Sequence, residues 1–188
     1  MPAIGGLGVT QAAEPEQVDR RYDELIRDLG NPTAYAKRAG LKERFIEPTP
    51  LRRDVPWNVA DAQKLLEDLK DVAALPVRYA LGLGHVLYSP LCGEGARLEP
   101  WLALAQGVAL VHLQQTDGLS DSHWGFTRSG MVEVRAVAKQ LVQDGTDIPL
   151  ILEVFHPFEQ GDKTVEQDVI ESVQRCRAAL ELKNQQEA

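Results

Sequence analysis

Residues 108 to 113, Val108-Ala109-Leu110-Val111-His112-Leu113, form the stretch of sequence that decides the fold. Apolar residues fill nearly every position, which is typical of a strand buried on both faces of a parallel sheet. Three further runs of this kind cover residues 44–47, 77–81 and 148–154. Residues 3–9 form a weaker candidate strand, because glycine disfavours the interior of a strand.

Segments with the amphipathic pattern of an α-helix separate these runs. Their apolar residues recur every three or four positions, and they are Val18, Tyr22, Leu25 and Leu29; Ala62, Leu65, Leu66 and Leu69; Val134, Val137, Ala138 and Leu141; and Val165, Val169, Val173, Cys176 and Leu180. Asn58 is a suitable N-cap for the second helix, and Gly145 is expected to end the third. Thr164, with Gln167 three residues later, predicts a capping box at the start of the last helix. Cys176 is expected to pack in the core.

Alternating strands and helices predict βαβ units, and therefore an α/β fold with a parallel sheet and right-handed crossovers. We predict a single domain over residues 1–182, followed by a frayed polar tail at 183–188. The chain has 188 residues. A complete (β/α)8 barrel typically needs about 250 residues, so the length excludes a whole barrel within this sequence.

Composition excludes several classes of function. The formal net charge of -8 disfavours an extended nucleic-acid surface. No apolar run reaches the roughly 18 residues that a membrane span needs, and we expect no membrane partner. The two cysteines, Cys92 and Cys176, have no CxxC partner. We therefore expect a reduced, cytoplasmic protein.

Titratable side chains gather at the predicted strand ends. Glu47 and Glu153 lie near the ends of otherwise apolar strands. No histidine falls in a predicted helix, and each lies at or just after a strand end; they are His85, His112, His123 and His156. Ligands bind at this edge in parallel α/β folds. Because a buried carboxylate is costly unless it is paired or bound to a metal, the pattern favours a metal or acid/base site.

Each of these features also has a structural interpretation. A histidine at a strand end is often a satisfied structural residue, and either glutamate could pair with Arg44 or Arg78. Residues 117–126 suit a substrate-contacting lid that includes His123, or equally a packed surface loop. Residues 88–93 could form a second active-site loop. The glycines at residues 5–8 predict a turn or bulge and do not match a dinucleotide-binding fingerprint.

Four motifs carry a resemblance to a known family. They are Ile46-Glu47-Pro48-Thr49-Pro50, Gly84-His85, His112-Leu113-Gln114-Gln115-Thr116-Asp117-Gly118 and Leu152-Glu153-Val154. On these residues the chain resembles the sugar phosphate isomerase/epimerase superfamily, the xylose isomerase-like TIM barrels of the D-tagatose 3-epimerase and hydroxypyruvate isomerase type. The resemblance covers residues 3–182 and implies a partial (β/α)8 barrel comprising about strands four to eight.

The resemblance implies an isomerase or epimerase of a small sugar or sugar phosphate, working through a metal-stabilised enediolate. Glu47 and Glu153 would be the catalytic acid/base pair. The same glutamates and His112 would bind a divalent metal, manganese or magnesium. His85 would contact the substrate or support a metal ligand. Apart from the resemblance, we expect His123, in the loop at residues 117–126, to contact the substrate.

Two departures from the family pattern support an alternative. The family's Asp-x-Gly-His motif is Gly82-Leu83-Gly84-His85 here, so a metal-ligating aspartate is replaced by Gly82. Metal binding would then be weakened or absent unless a residue such as Asp117 fills the position. The first three barrel strands also have no matching motif. The alternative is a catalytically impaired partial barrel: a fragment, an engineered piece, or a subunit of a homo-oligomer or other complex in which another chain supplies the N-terminal half.

Overall fold

The computed structural model describes residues 15–49, 54–88, 97–104, 107–143 and 147–181. Strands and helices alternate along them in the order α1 (Pro15–Arg38), β1 (Arg44–Ile46), α2 (Val59–Leu69), β2 (Val77–Gly82), α3 (Leu83–Val86), α4 (Glu99–Leu102), β3 (Val108–Leu113), α5 (Val134–Gln143), β4 (Leu150–Leu152) and α6 (Asp162–Glu181). The predicted strand at residues 3–9, Cys92, Gly145 and the tail at 183–188 lie outside the described residues. Among the helices described, none is long and apolar enough to cross a membrane.

The strands form one parallel sheet in the order β1-β2-β3-β4. Gly82 pairs with His112, and His112 pairs with Ile151, so the carboxyl ends of three strands lie side by side. Sequential order and parallel pairing confirm the predicted α/β fold with βαβ crossovers. They also fit a partial barrel, because a (β/α)8 barrel adds its strands in sequence order.

Apolar faces of the helices cover the sheet as the periodicity predicts. Leu65 of α2 and Val137 of α5 are fully buried. The predicted cap of α2 is confirmed, since Asn58 Oδ1 accepts a hydrogen bond from Asp61 N at 2.9 Å. Tyr79 of β2 donates a hydrogen bond from its hydroxyl to Ala62 O at 2.8 Å. The amphipathic face of α2 is thereby fixed against the middle of the sheet.

Burial differs between the inner and outer strands. The last four residues of β2 are buried, and β3 is buried or nearly so throughout. The run at 148–154 forms only the three residues of β4, and Ile151 is 44% exposed. The prediction of a strand buried on both faces is therefore wrong for β4, and also for β1, where Phe45 is 37% exposed. Within the described residues β1 and β4 are the two edges of the sheet, and each has a strand neighbour on one side only.

Two local predictions need correction. The last helix begins at Asp162, before Thr164, because Gly161 O already accepts hydrogen bonds from the N–H groups of Thr164 and Val165. Thr164 therefore lies in the first turn of α6 and is not its N-cap.

His85 lies in a helix, contrary to the sequence prediction, because buried Leu83 and Val86 fold the chain into the single turn of α3 directly after β2. Cys176 is buried in the core, as predicted.

Candidate functional site

Three predicted site residues meet at the carboxyl edge of the sheet. Glu47 directly follows β1, and Glu153 directly follows β4. His112 is the penultimate residue of β3. His112 Nδ1 is 2.8 Å from Glu47 Oε1 and 3.3 Å from Glu153 Oε2. In a flat sheet of this order, β1 and β4 would be about 14 Å apart. Side chains from both reach one imidazole, so the sheet curves around this point as a barrel wall does.

A second polar cluster lies beside the first. His85 Nδ1 is 2.8 Å from Asp121 Oδ1. The His85 ring contacts the edge of the His123 ring at a centroid distance of 4.9 Å, and His123 stacks on Phe155 at 4.4 Å. These contacts fix the orientation of both imidazoles.

The loop that carries Asp121 and His123 leaves β3 and returns to it. An antiparallel bridge between Gln115 and Trp124 closes this loop. Gln115 N donates to Trp124 O at 2.8 Å, and Trp124 N donates to Gln115 O at 3.0 Å. The loop therefore begins and ends beside the carboxyl end of β3, next to His112.

The two clusters form one group. His85 Nε2 is 3.8 Å from Glu47 Oε1, and His123 Nε2 is 3.7 Å from Glu153 Oε2. The structure thus brings together all the site residues predicted from the sequence: Glu47, His85, His112, His123 and Glu153. Each of the two glutamates lies beside two imidazoles in this group.

The structural interpretation of the two glutamates is not supported. Arg44 Nη1 donates to Leu29 O at 2.8 Å, and Arg78 Nη1 donates to Glu43 Oε2 at 3.2 Å. Both arginines lie near the amino ends of their strands, whereas the glutamates follow the carboxyl ends. Among the residues that the structure describes, the ion-pair partners of both glutamates are imidazoles.

Interactions within the group raise the pKa of two imidazoles, His85 and His112, and lower the pKa of one carboxyl, Asp121. The hydrogen bond to Glu47, with the charges of both glutamates, raises the pKa of His112 against the opposing effect of burial. Burial acts to lower the pKa of His85, but the hydrogen bond and charge of Asp121 and the charges of the glutamates outweigh it, so that pKa is raised. Burial acts to raise the pKa of Asp121, but the hydrogen bond and charge of His85 hold it below its ordinary value.

The donor set suits a divalent metal ion. The ligand atoms of Glu47, His112 and Glu153 all lie within 4.8 Å of one another, and so do those of His85, Asp121 and His123. Two carboxylates and one imidazole form a ligand set that manganese, magnesium and zinc accept in proteins. The described residues therefore contain two groups of side chains that could hold a metal ion.

Two residues of the site were missed in the sequence analysis, Asp121 and Gln114. Gln114 is fully buried beside Gly82, and its Nε2 is 3.5 Å from Glu153 Oε2. Its Oε1 is buried and has no hydrogen-bond partner within the described part of the chain. A Cβ added at Gly82 would lie 2.7 Å from Glu47 Oε1 and 3.4 Å from Gln114 Nε2. The position of the missing aspartate therefore opens directly onto the site.

Two other sequence candidates lie elsewhere. Asp117 is exposed, and its carboxylate accepts from Leu119 N at 2.9 Å, so it caps the loop and does not fill the ligand position. His156 Nε2 is 2.8 Å from Asp168 Oδ2, and this pair joins the segment after β4 to α6.

Comparisons with known proteins agree with this architecture. No protein-family model matches the chain, and no curated protein matches it significantly. A solved structure of a xylose isomerase-like protein from Rhodospirillum rubrum matches with a TM-score of 0.87 and 34% identity, over 93% of this chain and 60% of that one. A D-tagatose 3-epimerase-like protein matches with a TM-score of 0.70 and 19% identity, over 98% of this chain and 62% of that one.

D-psicose 3-epimerase from Clostridium cellulolyticum H10 shares the fold at a TM-score of 0.66 and 10% identity, over 93% of this chain and 61% of that one. The curved parallel sheet, with its polar group at the carboxyl edge, defines a partial barrel of the TIM type. The chain is similar to a xylose isomerase-like protein at 34% identity and shares the fold of these solved structures. It spans about three fifths of the length of these solved structures.

Proposed function

We propose that the chain acts as a metal-dependent sugar isomerase or epimerase, with Glu47 and Glu153 moving a carbon-bound proton of a small ketose or ketose phosphate. The observation that carries the proposal is the placement of two carboxylates from opposite sides of the sheet against one nitrogen, His112 Nδ1, at 2.8 and 3.3 Å. The structural match at 34% identity to a xylose isomerase-like protein supports it.

Glu47, His112 and Glu153 are the residues that would hold the metal, which we propose to be Mn²⁺ or Mg²⁺. When bound, the ion supplies Lewis acidity that stabilises negative charge developing on the carbonyl oxygen of the sugar. These side chains must be deprotonated to bind it, so the proton that His112 Nδ1 shares with the glutamates has to leave first.

The two glutamates would divide the proton transfer between them. One carboxylate removes the proton from the carbon beside the carbonyl, and the other delivers a proton from the opposite side or at the neighbouring carbon. Each glutamate has an imidazole close to it, since His85 Nε2 is 3.8 Å from Glu47 Oε1 and His123 Nε2 is 3.7 Å from Glu153 Oε2.

His85 and His123 would orient the sugar hydroxyls. Asp121 holds His85 Nδ1, which leaves His85 Nε2 directed toward Glu47 Oε1 at 3.8 Å. Stacking on Phe155 fixes the ring of His123. Substrate hydroxyls would therefore meet imidazoles whose orientation is set before binding, which lowers the cost of ordering the site.

Proton exchange with solvent tests the proposal. The chain is incubated with Mn²⁺ and a panel of ketoses and ketose phosphates in D2O, and deuterium at the carbon beside the carbonyl is followed by NMR. Glu47→Gln and Glu153→Gln should each slow exchange about 100- to 10,000-fold, the usual contribution of general acid–base catalysis. Glu43→Gln is the matched control, because Glu43 precedes the other end of β1 and pairs with Arg78. If both site variants exchange at the rate of the unmodified chain, the assignment is wrong.

A second candidate function is a partial barrel that binds metal and sugar but turns over only when completed by another chain. The specific observation is Gly82, which offers no side-chain oxygen where the family pattern has an aspartate. Three measurements together separate the two candidates: sedimentation equilibrium for the oligomeric state, elemental analysis for bound metal, and the proton-exchange assay for turnover. Bound metal in a monomer without proton exchange favours the second candidate, and exchange by the chain alone favours the first.

A further inference from the structure

We propose that Gln114 supplies a fourth oxygen ligand to the divalent ion at Glu47, His112 and Glu153, and so replaces a side chain at position 82. This inference rests on the metal site of the proposed function. It assigns the compensating residue that the sequence departure at Gly82 requires.

The first observation is space. Gly82 pairs with His112 across β2 and β3, and a Cβ there would lie 2.7 Å from Glu47 Oε1 and 3.4 Å from Gln114 Nε2. Gln114 follows His112 by two positions, so an extended chain directs both side chains to the same face. The Gln114 amide therefore lies against the volume that an aspartate at position 82 would enter.

A second glycine makes room for the same side chain. A Cβ added at Gly84 would lie 2.9 Å from Gln114 Cγ and 3.3 Å from Gln114 Nε2. The long side chain of Gln114 thus runs past two positions, Gly82 and Gly84, that carry no side chain of their own. This arrangement holds the amide beside the glutamates.

The second observation is an unsatisfied acceptor. Gln114 is fully buried, and its Oε1 has no hydrogen-bond partner within the described part of the chain. Buried polar atoms are nearly always satisfied by protein, water or a ligand, so an orphaned amide oxygen at a group of metal-ligating side chains points to a cation.

The orientation of the amide follows from charge. Without a cation, Nε2 faces Glu153 Oε2 at 3.5 Å, because a carboxylate attracts an N–H donor. Rotating the amide by half a turn exchanges its oxygen and nitrogen without moving the side chain. A divalent ion between the carboxylates reverses the preference, and the amide oxygen, a hard ligand suited to Mn²⁺ or Mg²⁺, then turns toward it.

Titration of the full chain with Mn²⁺ by isothermal calorimetry tests the inference without any activity measurement. Gln114→Met keeps the size of the side chain and removes its oxygen, and it should raise the dissociation constant about 10- to 100-fold. Gln114→Glu should lower the dissociation constant, because a carboxylate replaces a neutral amide. Gln63→Met, on the exposed face of α2, is the matched control and should bind Mn²⁺ as the unmodified chain does.

The outcomes separate this inference from the proposed function. If the unmodified chain binds Mn²⁺ and Glu47→Gln weakens binding while Gln114→Met does not, the metal site stands and the role of Gln114 is wrong. If the unmodified chain binds no Mn²⁺, both are wrong. Should Gln114→Met fail to fold by circular dichroism, Gln114→Glu decides alone, and an unchanged dissociation constant would overturn the inference.

Discussion

At the scale of single residues, Gly84 limits what the site can contain. A Cβ at this position would lie 2.6 Å from the backbone oxygen of Ser122 and 2.9 Å from Gln114 Cγ. The Ser122 oxygen belongs to the loop that carries Asp121 and His123, so it cannot move without displacing them. Because Gly84 carries a hydrogen atom where alanine would carry a methyl group, the loop can lie close to β2.

We expect Gly84→Ala to destabilise the chain by about 1 to 3 kcal/mol, the usual cost of overpacking a well-filled region. Urea unfolding followed by circular dichroism measures the change in the free energy of unfolding. Gly161→Ala is the control, because no atom lies within 4 Å of a Cβ added at Gly161. Equal losses in the two variants would contradict the steric argument.

Residues at strand ends could be predicted from the sequence, and residues whose importance depends on a neighbour could not. Glu47, His112 and Glu153 each lie at or near the end of an apolar run, which marks them as costly to bury without a function. Asp121 lies in a loop whose return to the sheet depends on the bridge between Gln115 and Trp124. Gln114 is neutral, and its position matters only because the adjacent strand has glycine.

At the scale of elements, α6 holds the segments that follow β3 and β4. Asp168 accepts hydrogen bonds from Thr127 and pairs with His156, and Ser172 Oγ accepts from Phe126 N at 2.8 Å. Arg175 Nη1 donates to Phe126 O at 3.2 Å. One helix face therefore anchors both segments beside the site.

Acid should weaken this anchor. Burial acts to raise the pKa of Asp168, but hydrogen bonds from Thr127 and His156 and the charges of His156 and Arg128 outweigh it, so the pKa lies below its ordinary 3.8. The stabilisation is therefore complete above pH 3.8 and is lost as the pH falls through the lower folded-state pKa.

We expect the unfolding free energy of Asp168→Asn to be about 1.5 to 3 kcal/mol lower at pH 6, the range for hydrogen bonds to charged groups. The variant should also lose less stability than the unmodified chain between pH 5 and pH 2.5. Urea titrations across this range provide the measurement, with the exposed Glu166→Gln on the same helix as control. An identical acid dependence in the unmodified chain and Asp168→Asn would argue against the role of Asp168.

The buried faces of α1, α2 and α5 could be predicted because their apolar residues repeat with the helical period over several turns. The start of α6 was not, because Thr164 with Gln167 has the spacing of a capping box, yet Gly161 O already binds the first N–H groups of the helix. In the structure the Gln167 side chain donates to Glu171 Oε1 at 2.8 Å. Local spacing alone does not decide between two adjacent starting points.

At the scale of the whole molecule, stability is concentrated in the centre of the sheet. β2 and β3 are buried, whereas β4 is half-buried with Ile151 at 44% exposure. Parallel order could be predicted from the alternation of strands and helices. The exposure of β4 could not, because its apolar run is that of a strand with neighbours on both sides.

We expect hydrogen exchange to reveal this gradient. Amides of β3 should be the more strongly protected, and those of β4 should exchange faster, because an edge strand leaves alternate N–H groups without a strand partner. Deuterium uptake by peptides covering residues 107–114 and 147–154, measured by mass spectrometry, compares the two. If the two peptides are equally protected at low protein concentration, the amides of β4 are shielded from solvent in the monomer, contrary to this expectation.

The bridge between Gln115 and Trp124 also bears on ligand affinity. Its two backbone hydrogen bonds close the loop around Asp121 and His123, so the conformational entropy of ordering this loop is lost when the chain folds. A ligand that contacts these side chains does not bear that entropic cost again at binding. The loop is therefore preorganised for any ligand that contacts these side chains. Stiffening the loop further should change the affinity for such a ligand little, whereas opening the bridge should reduce it mainly through entropy.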